Sequence, residues 1–140
     1  MNQSEKRLFL IQSLLKEQSE YRDIAIPADT DNQRQLLRGL MNLRRPARIG
    51  AEFLQMQDKY LQGETAAKGI TDAADLTPIQ PGLYLWQGDI TTLKCDAIVN
   101  AANSGMTGCY IPNHRCIDNA IHTYAGMQLR LYCHEYMEKQ

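Results

Sequence analysis

The sequence predicts a mixed α/β fold, helical in its first half and layered in its second. Apolar residues recur at spacings of three and four over most of residues 1–63, the mark of helices that bury one face. Residues 64–82 then turn to Ala, Thr, Asp, Pro and Gly, the composition of a connection. Beyond it lie two short apolar runs and a further helical stripe, and strand, strand and helix in that order open an α/β layered domain. The chain is accordingly read as a helical extension over residues 1–80 and an α/β unit over residues 81–140.

In the first helix Leu8, Ile11, Leu14 and Leu15 share a face, with Ser4 as the expected N-cap. A second helix carries Leu36, Leu37, Leu40 and Leu43 behind Asp31 as its cap. Pro46 interrupts the pattern or occupies the first turn of a third helix. That helix presents Phe53, Leu54, Tyr60 and Leu61, and Gly63 is its expected end. After the connection, LYLW (83–86) reads as a short strand and GDITTLKCD as a turn-like segment. Ala97, Ile98 and Val99 read as a strand covered on both faces, because the apolar residues are consecutive rather than alternating. Ile117, Ala120, Ile121, Tyr124, Met127 and Leu131 fall on one face of a final helix.

At 140 residues the chain is long enough to bury a core, and 44% hydrophobic with 22% charged residues is ordinary for a soluble globular protein. Its apolar runs are far shorter than a membrane span. The N-terminal MNQSEKRLFLIQSLLKEQSE is interrupted by charge and lacks a small-residue cleavage site, so no signal peptide is expected and a cytoplasmic location is the default. Formal net charge is -1, with 11 basic and 11 acidic side chains in residues 1–80 and 4 and 5 in residues 81–140. No field of that kind draws a chain to nucleic acid, and neither a nucleic-acid nor a membrane partner is expected. Arg44, Arg45 and Arg48 read as a solvated helix end. The four cysteines, at 95, 109, 116 and 133, include no CxxC pair. In a reducing compartment they suit metal or redox chemistry better than disulfides.

Chemistry concentrates in GCYIPNHRCIDNAIH, residues 108–122, where Cys109, His114 and Cys116 follow the spacing C-x4-H-x-C. Thiolate and imidazole suit a borderline-soft ion such as zinc. Three protein ligands leave a fourth position open, the catalytic rather than the structural pattern. Pro112 stiffens the loop between them. On the residues alone, the group is either such a site or a chance cluster beside an apolar helix. The other candidates read more simply. Cys95 suits a small buried hydrophobe, and His122 a packed or capping histidine. Cys133 and His134, adjacent on a helix and about 100° apart, make a poor chelating pair.

Gly88-Asp89-Ile90-Thr91, the run DAIVNAAN from Asp96 to Asn103, and GCYIPNHRCIDNAIHTYAG together resemble the zinc-dependent macrodomains of bacteria and fungi. These are protein-ADP-ribose hydrolases, often encoded beside a sirtuin-like ADP-ribosyltransferase. The likeness is tight over residues 83–130 and looser before, where a helical extension also suits that subgroup. It implies a three-layer α/β/α fold after the extension and a Zn2+ cofactor held by Cys109, His114 and Cys116. The implied reaction releases ADP-ribose from acidic side chains of mono-ADP-ribosylated proteins. Asp89, with the Ile90 backbone beside it, would accept from the adenine amino group, because a carboxylate is acceptor-only. Asn103 would orient the distal ribose as the catalytic residue. Ile117, Asp118 and Asn119 would turn helix-start N–H groups to the pyrophosphate, with the Asp118 carboxylate pointing away or capping the helix. Zinc would polarise a ribose or ester oxygen or activate a bound water. No general base is identified, since Asp96 before a strand reads as structural. The implied partners are an ADP-ribosylated acceptor, with a lipoyl-carrier protein suggested by the sirtuin association, and the transferase itself. The resemblance equally admits a module that binds ADP-ribose without cleaving it.

Length sets a further expectation. The chain ends at Gln140, and no GxxG-type phosphate loop follows Gly126. An incomplete macrodomain, truncated at its C-terminus, is expected, with an exposed sheet edge, weak stability and little or no catalysis.

Overall fold

Local hydrogen bonding decides where the first three helices start and stop in the computed structural model, which covers residues 1–140. Helix α1 (Gln3–Glu17) begins at a capping box: Asn2 Oδ1 accepts from the Glu5 N–H at 2.9 Å, and Glu5 Oε2 accepts from the Asn2 N–H at 2.7 Å. Ser4, the expected cap, lies inside the helix and accepts from Arg7 Nη2 at 3.3 Å. Helix α2 (Thr30–Leu43) starts at Asp29 rather than Asp31. Asp29 accepts from the Asn32 N–H at 2.9 Å, leaving Asp31 to pair with Arg34 one turn on. Helix α3 (Ala51–Lys68) follows Gly50, so Pro46 lies in the link before it. It also runs through Gly63, the expected end, and continues to Lys68, with Gly69 as its C-cap. Gly63 is a helix–helix contact: a Cβ there would meet Gln3 Nε2 at 2.5 Å, and that amide donates to the Tyr60 carbonyl at 3.0 Å.

The stripes read from the sequence meet in one core of Leu10, Ile11, Leu14, Leu37, Leu40, Met41, Phe53, Tyr60, Leu61 and Met127. Leu10 and Ile11 are fully buried, each contributing about 1.5–3 kcal/mol over an exposed position. Met127 brings residues 81–140 into the same core as α1, α2 and α3.

Strands are few and short. β1 (Thr71–Asp72) pairs in parallel with β4 (Leu93–Lys94), and β2 (Pro78–Gln80) pairs antiparallel with β3 (Leu83–Tyr84) across an irregular register. With five helices and four strands the chain is mixed α/β, as the patterning predicts. Details differ. The LYLW strand shrinks to Leu83–Tyr84, and both residues are exposed. Ala97, Ile98 and Val99 form no strand, and Val99 is 95% exposed. Nothing pairs with them, because the parallel ladder stops at Lys94 and a strand gains its stability from neighbours. Cys95 is exposed for the same reason, contrary to the buried role expected of it.

The last helical stripe is split in two. Helix α4 (Ile117–Ala125) and helix α5 (Met127–Met137) meet at Gly126, whose φ of 87° and ψ of 175° suit essentially glycine alone. The break turns Met127 into the core and its N–H onto Gln57 Oε1 at 2.9 Å. No helix is long and apolar enough to cross a membrane.

Candidate metal centre

Cys109, His114 and Cys116 converge: one sulfur, imidazole nitrogen or second sulfur from each lies within 4.8 Å of the others. The two cysteines are half-buried and the histidine is exposed. Tetrahedral zinc places its sulfur and nitrogen ligands about 3.5–3.8 Å apart, from bonds of about 2.0–2.3 Å. The widest pair here therefore needs to close by about 1 Å, and the donor set fits the ion. Cys116 has a second task. As N-cap of α4 its sulfur accepts from the Asn119 N–H at 3.4 Å, so it faces the positive end of that helix.

The loop that bears the three donor residues is held by α2 and α5. Asn113 sits at φ 57°, which asparagine tolerates, and donates its N–H to Asn42 Oδ1 at 3.0 Å. Its side chain donates to the Gln35 carbonyl at 3.1 Å. Arg38 donates to Asn119 Oδ1 at 2.9 and 3.2 Å and to the His114 carbonyl at 3.3 Å. Asn119 Nδ2 in turn donates to the Ile111 carbonyl at 3.0 Å. From α5, Arg130 reaches the carbonyls of Thr107 at 2.8 Å and Cys109 at 3.1 Å, and those of Met41, Asn42 and Arg44 at 3.2, 2.7 and 2.8 Å. It is 6% exposed and lies 4.1 Å from the Tyr110 ring centroid.

Beside the three donor residues is a polar chain. Asn100 Nδ2 donates to Asp118 Oδ1 at 2.8 Å, and His122 Nε2 lies 3.7 Å from the same oxygen. Asp118 is the one carboxylate among the buried residues. Asn100 Oδ1 and His122 Nδ1 are buried without a partner. Burial pushes the His122 pKa down, the Asp118 charge pulls it back, and Arg130 adds to the depression. His122 is thus packed, as expected, but against a carboxylate rather than apolar side chains alone. Burial first, and Asp118 second, raise the pKa of the Cys133 thiol.

The remaining sequence candidates occupy separate turns. Asp89 caps a 3-10 turn that begins at Ile90, accepting from the Thr91 N–H at 2.9 Å and hydroxyl at 2.6 Å. Lys68 approaches its other oxygen at 3.4 Å while lying 3.7 Å over the Tyr124 ring of α4. Burial opposes ionisation of Asp89, but the Thr91 hydrogen bonds and the Lys68 charge outweigh it and lower the pKa. Asn103 is exposed, and its amide closes its own turn, accepting from the Gly105 N–H at 3.0 Å and donating to the Gly108 carbonyl at 3.3 Å. At the start of α4, Asp118 and Asn119 are buried and Ile117 is exposed at its rim. The Asn119 side chain is consumed by Arg38 and Ile111.

Sequence reasoning missed Arg38, Asn42, Asn100 and Arg130. The Asp118–His122 spacing of four was a usable signal for the buried pair. Arg38 and Asn42 gave none, since one helix face carries no mark of a loop more than 70 residues away.

Residues 99–140 match the Macro domain family model. Among curated proteins, the chain over its whole length is 55% identical to the protein-ADP-ribose hydrolase of Treponema medium, covering 55% of that protein. It is 44% identical over 94% of its length to the protein-ADP-ribose hydrolase of Staphylococcus aureus (strain MRSA252), covering 50% of it. A probable bifunctional ADP-ribose hydrolase/ADP-ribosyltransferase of Fusarium oxysporum f. sp. cubense is 40% identical over 79% of the chain, which covers 20% of that protein. The chain spans about half the length of the first two relatives.

Proposed function

We propose that this chain carries the metal-bearing portion of a zinc-dependent protein-ADP-ribose hydrolase, acting on ADP-ribose attached to acidic side chains. The observation that carries the reading is the convergence of Cys109, His114 and Cys116 within 4.8 Å, inside the stretch that matches the Macro domain. Relatives bearing the hydrolase name, at 55% and 44% identity, support the reaction class.

In this reading Cys109, His114 and Cys116 hold Zn2+, which when bound supplies Lewis acidity toward a substrate oxygen or a water. Asp89 keeps acceptor capacity beyond Thr91 and Lys68 and receives the adenine amino group, with Ile90 alongside. The N–H groups of Ile117 and Asp118, in the first turn of α4, face the pyrophosphate. In the same reading Asp118, which accepts from Asn100, orients a water or accepts its proton. Asn103 orients the distal ribose after releasing its own loop. The acceptor is an ADP-ribosylated protein in a soluble compartment, a lipoyl-carrier protein in the sirtuin-linked setting, and the helical extension over residues 1–80 positions the site in residues 81–140.

A second reading, ADP-ribose binding without cleavage, is favoured by one observation: the Asn103 amide is already spent on Gly105 and Gly108. Two measurements on the full chain separate them. Zinc stoichiometry by native mass spectrometry should give one ion per chain, and a peptide ADP-ribosylated on glutamate should release ADP-ribose only when zinc is loaded. Ligand binding without release supports the second reading; neither zinc nor ADP-ribose binding sinks both.

A further inference from the structure

We infer that α2, which supplies no ligand, sets the affinity of the metal loop, with Arg38, Gly39 and Asn42 as positioning residues. The inference rests on the zinc reading proposed above. Arg38 and Asn42, four apart, share one face of α2 with Gly39 beside them, and the loop lies on that face. Arg38 binds the His114 backbone carbonyl directly and reaches Cys116 through one intermediate. That intermediate is Asn119, whose Oδ1 takes the guanidinium and whose N–H donates to the Cys116 sulfur. Asn42 fixes Asn113, the residue before His114, in its left-handed conformation. Between them Gly39 allows close approach: a Cβ there would lie 3.2 Å from Asn113 Nδ2 and 3.6 Å from Pro112 Cβ.

His114 is therefore bonded to α2 directly, and Cys116 through the single residue Asn119. A loop whose donors already lie within 4.8 Å of one another gives up little chain freedom when an ion closes the site. Detached from α2, the same loop bears that ordering cost in the binding step. Contacts of this outer kind change metal affinity by about 10–100-fold.

The test measures Zn2+ affinity of the full chain by competition with a chromophoric chelator. The urea midpoint of the metal-free protein and the visible spectrum of the Co2+-loaded protein are recorded alongside. Gly39→Ala is the decisive variant. Alanine is the better helix former, so the metal-free midpoint should stay near wild type, while a Cβ 3.2 Å from Asn113 Nδ2 shifts that side chain by a few tenths of an ångström. Zn2+ binding should weaken about 10-fold and the Co2+ bands should shift. Arg38→Met should weaken binding similarly, with partial rescue in Arg38→Lys. Arg34→Met, on the same helix but paired with Glu64, should leave affinity unchanged. Wild-type affinity in both Gly39→Ala and Arg38→Met would overturn the inference. So would equal weakening by Arg34→Met, which would assign the effect to a loosened helix. A wild type that takes up no Zn2+ defeats the metal reading itself, and that first measurement tells the two failures apart.

Discussion

Replacing Arg130 with methionine should remove a large part of the stability of this chain. The guanidinium is 6% exposed and donates to five backbone carbonyls, three of them at 2.7–2.8 Å. Burial disfavours its charged form and lowers its pKa, with Tyr110, Asp118 and Cys109 opposing, so the carbonyl set is what makes the buried charge tolerable. Counting only the three short bonds at about 1 kcal/mol each, and the Tyr110 stack at about 1 kcal/mol, gives a loss of about 4 kcal/mol. Carbonyls left without donors push the figure up. If the wild type is stable by about 5 kcal/mol, the variant retains about 1 kcal/mol and roughly one molecule in six is unfolded without denaturant. Urea unfolding of the metal-free protein, followed by far-UV circular dichroism, measures this directly, with the m-value showing whether the comparison is two-state. Arg130→Lys should fall between, because an ammonium cannot reproduce the planar fork. A loss under about 1 kcal/mol in Arg130→Met would refute the reasoning and reduce the five contacts to incidental geometry.

Other outcomes follow from the same structure. Gly126→Ala should destabilise by about 1–3 kcal/mol in the same assay, because φ of 87° with ψ of 175° strains any side chain and a Cβ would press on Gln57 Nε2. Because the His122 pKa is lowered on folding, its contribution is complete above the unfolded value near 6.5 and is lost as pH falls below it toward the folded value. The metal-free urea midpoint should therefore drop between pH 7 and 5, with a shallower slope in His122→Asn; identical slopes would remove His122 as the cause. Cys109→Ser and His114→Ala should each abolish stoichiometric Zn2+ uptake in native mass spectrometry while the far-UV spectrum is retained, and full occupancy in either would exclude that residue as a ligand.

The helices were legible because their signal is local. Leu10 and Ile11, Leu37 and Leu40, and Phe53, Tyr60 and Leu61 are buried where periodicity places them. The ends were less legible, since Asn2 and Asp29 compete with nearby Ser4 and Asp31 and only the backbone geometry decides between them. Ala97–Val99 misled for a different reason. Consecutive apolar residues mark a strand only when neighbours are present to pair with it, and here they have none. At the site, the grouping of Cys109, His114 and Cys116 was readable from donor chemistry, whereas the support given by Arg38 and Asn42 depends on contacts spanning 71–81 residues. No spacing rule reaches that far.

The reach of Arg130 also has a consequence in time. The last carbonyls of a helix are without intrahelical donors, and at the end of α2 those of Met41 and Asn42, with Arg44 just beyond, receive theirs from a residue 86 to 89 positions later. During synthesis at about 5–20 residues per second, α2 emerges roughly 4–17 s before its terminal donor exists. Until then its C-terminal turn is open to water and to any other cation that reaches it. The final order of this helix end is thus a late event in the life of the chain, set by the arrival of α5.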